Sequence, residues 1–227
     1  MTEPTNPRLI HFAEALPPAQ KYNLHLMVSA SLEMLANRLE PGKPPSAAWT
    51  TAVRVLARFG KQGAERMGLL PPIQVVLPEL RREARAMEPT ATRLAASSTK
   101  PGGEVARELA RSRALRRIIE SHVKEDLRPL GECHYHFYFR TGDHVAPHVD
   151  SAQTSYLNCV IVVDHDAGRD GRRHSALNTY DERGGRTRVP LDKGEAAALY
   201  ATATVHARSP VWEGEKVTIL SIGFGPR

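Results

Sequence analysis

Hydrophobic residues follow two different periods along the chain, and the change falls near residue 130. Before it, apolar residues recur every three or four positions, as they do on one face of a helix. This spacing runs through residues 19–39, 46–67 and 103–123, and the prolines near positions 41–45 and 71–72 end the first two of these segments. The sequence therefore predicts three amphipathic helices, and a loop over residues 87–103, which are rich in small and turn-forming residues.

After residue 130 the chain consists of short segments rich in aromatic and β-branched residues, with Gly- and Asp-containing turns between them. Several short strands that are closely spaced by turns favour a sandwich or barrel over alternating strands and helices. We therefore expect a single domain over residues 1–227, with a mainly helical support (1–130) and a β-core (131–227). The four predicted strands are residues 134–139, 156–163, 196–200 and 216–222.

Composition narrows the partners that this chain could have. The net charge is +6 and the isoelectric point is near 9.5, but no long Lys/Arg block accompanies this charge. We therefore expect a small-molecule substrate, of an amino-acid-like or anionic kind, rather than nucleic acid. Two cysteines are too few for a disulfide scaffold or a four-thiolate zinc site. No apolar leader or membrane-length apolar run is visible, which predicts a cytoplasmic protein, and the oligomeric state stays open.

Two histidines and one carboxylate in the β-half suggest a metal site. His148 and Asp150 stand two residues apart, so on an extended strand or its end they point to the same side. His206 follows 56 positions later, with strands between. Two imidazoles and one carboxylate on one side of a metal suit Fe(II) and leave positions open for other ligands. His148, Asp150 and His206 are therefore candidate metal ligands, although for the tripeptide 148–150 alone a surface-loop histidine beside an acidic residue is an equal interpretation. Asp164-His-Asp166 is a weaker rival tripeptide, and the sequence that surrounds the candidates decides between these interpretations.

The sequence around both parts of this set resembles the Fe(II)/2-oxoglutarate-dependent dioxygenase superfamily, and its prolyl-hydroxylase-like branch in particular. Residues 139–150 (FRTGDHVAPHVD) resemble that branch's aromatic, glycine turn and Pro-His-x-Asp motif. Residues 206–216 (HARSPVWEGEK) resemble its distal histidine, Pro-Val, turn glycine and basic residue. The resemblance covers roughly residues 133–224. It implies a double-stranded β-helix (jelly-roll) core within an α+β fold, with Fe(II) as cofactor and 2-oxoglutarate and O2 as co-substrates.

The same resemblance assigns side chains to 2-oxoglutarate. Lys216 stands where relatives place the cation that binds the distal carboxylate, and a buried anion does require such a partner. Thr218, two positions on, would add a hydroxyl donor. Arg208, two residues after His206, is the alternative anchor. Tyr138 matches a position where relatives place a tyrosine near the co-substrate, although a packed strand aromatic is an equal interpretation.

The function that the resemblance implies is hydroxylation, or a related oxidation, of a small metabolite with release of succinate and CO2. Family halogenases have a small residue in place of the carboxylate, and this chain keeps Asp150. Two alternatives remain open at this point. One is a hydroxylase of a protein or peptidyl residue, and the other is a non-catalytic, cupin-like module that binds a metal or ligand.

Overall fold

The structure is a computed structural model that describes residues 46–59, 63–150 and 155–227, together with isolated positions between 12 and 31. The first predicted helix, residues 19–39, lies largely outside the described residues. Of its apolar stripe, Leu24 and Val28 are described, and Val28 packs against the main hydrophobic core.

The helices differ from the prediction at two places. The second predicted helix ends at Phe59, and Met67 belongs instead to a strand, so placing Met67 on the helical stripe was wrong. The third predicted helix is interrupted at Ser112, whose hydroxyl accepts a hydrogen bond from the Leu115 backbone N–H and caps a new helix. The described helices are α1 (Ala47–Phe59), α2 (Pro71–Met87), α3 (Glu104–Arg111) and α4 (Arg113–Val123).

Helix α2 was not predicted, because Pro71 and Pro72 look like a stop signal. They are in fact its first two residues. Proline is well accommodated there, because the first N–H groups of a helix have no partner inside the helix and proline has the helical φ. The buried face of α2 includes Ile73, Leu80 and Ala84.

Residues 87–103 were predicted as a loop, and this was wrong. They contain a 3-10 turn (Glu88–Thr90) followed by a short β-hairpin, whose second strand pairs with the sheet. Two- and four-residue strands carry too few positions for a periodic pattern, which is why the sequence did not reveal them.

The β-half forms two antiparallel sheets. The strands are β1 (Ala64–Met67), β2 (Thr92–Arg93), β3 (Ser98–Pro101), β4 (Leu127–Tyr138), β5 (Val145–His148), β6 (Leu157–Asp166), β7 (Leu177–Tyr180), β8 (Arg186–Val189), β9 (Ala196–Leu199), β10 (Val205–Arg208) and β11 (Lys216–Pro226). The order in the larger sheet is β1-β9-β6-β11-β4-β3-β2, and in the smaller one β5-β10-β7-β8. All four predicted strands are present in the larger sheet, whereas the strands of the smaller sheet were not predicted individually.

The two faces of the larger sheet pack against different partners. Leu220 and Ile222 of β11 belong to the main core with helix residues, whereas Ile219 belongs to a second cluster with residues of the smaller sheet. This alternation is what a strand between two layers requires, because neighbouring side chains point to opposite faces. The space between the two sheets is therefore the interior in which the predicted metal ligands must meet.

Candidate metal centre and adjoining cavities

The three predicted ligands come together at one edge of the smaller sheet. His148 is the last residue of β5, Asp150 follows two positions later, and His206 lies on β10. Strands β5 and β10 are paired so that His206 stands opposite His148. One ligand atom from each of the three residues lies within 4.8 Å of the others. Strand pairing and the two-residue spacing thus bring residues 56 positions apart to one point.

The distances fit one metal ion. Asp150 Oδ1 lies 3.3 Å from His148 Nε2 and 3.5 Å from His206 Nε2. Two ligands about 2.1 Å from an ion and at right angles to each other would be roughly 3.0 Å apart. The observed separations are slightly wider than this value. Asp150 Oδ1 can therefore share a metal ion with either histidine nitrogen with little adjustment, and all three ligand atoms lie within 4.8 Å of one another.

Both histidines are oriented so that Nε2 can bind a metal. His148 Nδ1 lies 2.9 Å from the carbonyl oxygen of Ala146, and His206 Nδ1 lies 3.0 Å from that of Thr204. A carbonyl only accepts, so each Nδ1 carries the proton and donates it. In a metal-bound state the lone pair of each Nε2 would then face the ion, as in protein metal sites generally.

Asp150 is held by its other oxygen. Its Oδ2 accepts hydrogen bonds from Asn158 Nδ2 (3.0 Å) and Ser155 Oγ (3.4 Å), which directs Oδ1 towards the histidines. Burial raises the pKa of Asp150, but the neighbouring His206 and His148 outweigh it and hold that pKa well below the usual value. The carboxylate is therefore ionised, as a metal ligand must be.

A cavity of about 420 Å³ opens beside the three ligands, between the two sheets. Its lining is mostly apolar, with Val160, Leu177 and Ile219 among its walls. Arg208 and Tyr138 also line it. Because Arg208 lies two residues after His206 on the same strand, both side chains point into this space.

Arg208 carries a buried positive charge. It is 5 % exposed, its Nη1 donates to Ser175 Oγ at 3.2 Å, and its guanidinium lies 5.4 Å from the centre of the Tyr138 ring. Burial lowers the pKa of Arg208, and burial also raises the pKa of Tyr138 to about 12. Within the described residues no carboxylate lies at ion-pair distance from Arg208, so its charge is available to an anionic ligand.

Lys216 and Thr218 lie on the other face of the larger sheet. Both line a separate cleft of about 200 Å³ together with Arg81 and Arg85 of helix α2, and neither lines the cavity beside the metal ligands. The Lys216 ammonium is instead 5.6 Å from the centre of the Phe139 ring. The expectation that a cation at position 216 points towards the metal ligands is not met, because strand parity directs this side chain to the helical layer.

The rival tripeptide 164–166 has structural partners. Asp164 forms ion pairs with Arg81, Arg85 and Lys193, and buried His165 contacts Glu215 at 2.8 Å. In the part of the chain that the structure describes, these residues are not among the groups that could hold a metal.

The β2–β3 hairpin supplies cavity residues that the sequence did not single out. Residues 94–97, at its turn, line the cavity. Arg93 forms two hydrogen bonds to the buried carboxylate of Asp143, at 3.0 and 2.6 Å, and His144 N–H donates to the carbonyl of Ala96. These contacts fasten the hairpin to the turn before β5. The ion pair and the backbone hydrogen bond thus hold the apolar wall of the cavity in place. No sequence motif indicated these contacts.

The sequence matches no protein-family model and no curated protein. Solved structures do match. The non-haem α-ketoglutarate-dependent epimerase SnoN from nogalamycin biosynthesis aligns with a TM-score of 0.59 and 18 % identity, over 76 % of this chain and 81 % of that one. This chain has the fold of the 2-oxoglutarate-dependent oxygenases. The double-stranded β-helix core and the α+β class are thereby confirmed.

Two further neighbours support the same fold. A prolyl-4-hydroxylase from Pseudomonas putida aligns with a TM-score of 0.55 and 17 % identity, over 77 % of this chain and 98 % of that one. HygX from Streptomyces hygroscopicus, solved with nickel and 2-oxoglutarate bound, gives 0.55 and 14 %, over 75 % and 85 %. In the described part of the chain, no helix is long and apolar enough to cross a membrane.

Proposed function

We propose that this protein is an Fe(II)- and 2-oxoglutarate-dependent dioxygenase that oxidises a small molecule and releases succinate and CO2. The observation that supports it most is the convergence of His148, Asp150 and His206 beside a cavity that contains a buried arginine. The fold shared with oxygenases of this kind agrees with the proposal.

The chain's own residues would hold the iron through His148 Nε2, His206 Nε2 and Asp150 Oδ1. Their outer partners fix the tautomer of each histidine and direct Oδ1 of the carboxylate towards the two rings. When bound, the iron together with 2-oxoglutarate and O2 supplies the oxidising power that breaks a substrate C–H bond. The protein contributes orientation and the exclusion of water, for which the apolar cavity walls are suited.

Arg208 would bind the distal carboxylate of 2-oxoglutarate. It lines the same cavity as the metal ligands, it is buried, and a planar guanidinium can bind a carboxylate through two parallel hydrogen bonds. Tyr138 lies against the guanidinium and adds an apolar wall with a hydroxyl group. Lys216 would require a different path of β11 to reach this position.

We propose a small molecule as the substrate. Two alternative functions would give different experimental results. A hydroxylase acting on a protein residue would turn over 2-oxoglutarate in the same way but would require a peptide. A non-catalytic binding module would bind ligand without producing succinate. The neighbour solved with Fe3+, α-ketoglutarate and nogalamycin RO has a small molecule in its complex, which agrees with the first choice.

The test combines metal binding with turnover. Wild-type protein should bind one Fe(II) and release succinate with a panel of metabolites, with mass spectrometry detecting the oxidised product. His148→Ala and Asp150→Ala should each lose metal binding in calorimetry and lose succinate release. Asp166→Ala, an exposed carboxylate outside the ligand set, is the matched control and should retain both. Retained metal binding and turnover in both ligand variants would refute the assignment.

A further inference from the structure

The inward-facing residues of β4 form a strip that runs past the metal ligands. Tyr138, His136, His134 and Glu132 are two positions apart, so they share a face. Tyr138 is 2 % exposed, the two histidines are half-buried, and Glu132 is exposed. Solvent therefore meets the Glu132 end of the strip first, whereas the Tyr138 end lies deep beside Arg208.

Two different cavities adjoin this strip, and both are lined by His136, Asp150 and Asn158. The apolar cavity contains Arg208. The second one, which we name the polar cavity, has a volume of about 220 Å³, and Glu132 and His134 line only this one. Because Asp150 belongs to both, a molecule in either cavity lies next to the metal ligands.

Residues that line the polar cavity carry hydrogen-bond acceptors that have no partner among the described residues. A carboxylate only accepts, so Asn158 must turn its NH2 group to Asp150. The Oδ1 atom of Asn158 is then buried without a partner in the described residues. Within the same residues, neither the Glu132 carboxylate nor the His134 ring has a side-chain hydrogen bond. A buried acceptor without a partner is costly, which suggests that a ligand satisfies it.

The charge of the polar cavity favours one class of ligand. Among the described residues, no Lys or Arg lines it, and Glu132 adds a negative charge beside Asp150. An anionic group would be repelled, whereas an ammonium or hydroxyl group would donate to Asn158 Oδ1 and Glu132. This does not favour the anionic substrate expected from the overall positive charge, because the local lining is acidic and the basic residue Arg208 lies in the other cavity.

We propose that the polar cavity binds the primary substrate through an amine or hydroxyl group that donates hydrogen bonds to Asn158 and Glu132. This rests on the proposed function, in which the apolar cavity holds 2-oxoglutarate. The substrate class is then a neutral or cationic molecule with hydrogen-bond donors, such as an amino alcohol or a polyol, and not a carboxylate or phosphate.

The test uses three matched ring compounds and full-length protein loaded with Zn(II), which is diamagnetic, and 2-oxoglutarate. The probes are trans-1,2-cyclohexanediol, trans-2-aminocyclohexanol and cyclohexanecarboxylate. The first two should shift the NMR signals of the Asn158 side-chain amide and the His134 ring, and the carboxylate should not. Glu132→Gln should weaken binding of the amino alcohol about threefold, as for a partly exposed ion pair, and leave the diol unchanged.

Glu213→Gln is the matched control, because Glu213 is an exposed carboxylate that lines neither cavity. It lies just before Lys216, the first residue of β11. It should bind all three probes as the wild type does. Equal shifts from the carboxylate, or no shifts from either donor probe, would overturn the proposal, as would unchanged amino-alcohol binding in Glu132→Gln. Failure of Zn(II) and 2-oxoglutarate to bind would instead contradict the proposed function, so the two failures are distinguishable.

Discussion

Replacing Arg208 with Met tests which cation binds 2-oxoglutarate. Removing one partner of a buried, hydrogen-bonded charge pair costs about 2–5 kcal/mol. We therefore expect Arg208→Met to raise the Kd for 2-oxoglutarate roughly hundredfold, which corresponds to about 2.7 kcal/mol. Arg208 is 5 % exposed, so little solvent screening reduces this figure. Lys216 is exposed and lines another cleft, so Lys216→Met should change the Kd for 2-oxoglutarate by no more than about twofold.

The expected loss of affinity in Arg208→Met also predicts a change in stability, which a different measurement can check. With 2-oxoglutarate at about 100 times the wild-type Kd, binding should raise the free energy of unfolding by about 2.7 kcal/mol. For Arg208→Met at that concentration, the gain should fall to about 0.4 kcal/mol. Without ligand, this variant should be as stable as the wild type or more stable, because it removes a buried charge that has no acidic partner within the described residues.

Calorimetry with Zn(II)-loaded protein measures the Kd, and urea unfolding with and without 2-oxoglutarate measures the stability. The ligand-free unfolding curve controls for misfolding, since a damaged protein would lose stability without ligand as well. Wild-type affinity in Arg208→Met, combined with a hundredfold loss in Lys216→Met, would refute the reasoning and would mean that β11 places Lys216 in the cavity.

Two further predictions concern ion pairs outside the ligand set. Burial raises the pKa of Asp164, but its hydrogen bonds to three cations outweigh it and lower that pKa to about 2. A folded-state pKa below the usual 3.8 stabilises the protein above about pH 4, and this contribution is lost as the pH falls towards 2. Solvent screens these pairs because their cations are partly exposed, so urea unfolding at pH 7 should show Asp164→Asn to be about 1 kcal/mol less stable. Equal stability of the two proteins would contradict the ion-pair account. Arg93→Met should lower the stability to urea and should speed amide hydrogen exchange in residues 92–101, because it removes the ion pair to buried Asp143, whereas unchanged exchange would show that Asp143 does not hold the hairpin.

The relative position of His148 and Asp150 was predictable because it is encoded locally, since a spacing of two places both on one side of an extended chain. His206 was singled out by the family resemblance, because the pairing of β5 with β10 that sets it opposite His148 is a long-range contact that spacing alone does not specify. The position of Arg208 relative to His206 is equally local, since both lie on β10. Lys216 differs, because a turn separates β10 from β11 and the sequence does not reveal which face β11 turns inward after it. A shift of one residue exchanges the two faces of a strand, and here the structure directs Lys216 to the helices.

The substrate side of the site depends on segments that the sequence does not connect. The apolar wall comes from residues 94–97 and the open end of the polar cavity from Glu132, whereas Asn158 supplies an acceptor that has no partner in the described part of the chain. These segments belong to a hairpin and two strands, and only the strand order of the larger sheet brings them to Asp150. Two short motifs can specify three candidate ligands because each ligand needs one lone pair in one direction. Substrate choice instead depends on the combined charge and hydrogen-bonding capacity of a whole lining, and the net charge of +6 gave no guide to a cavity whose own charged groups are acidic.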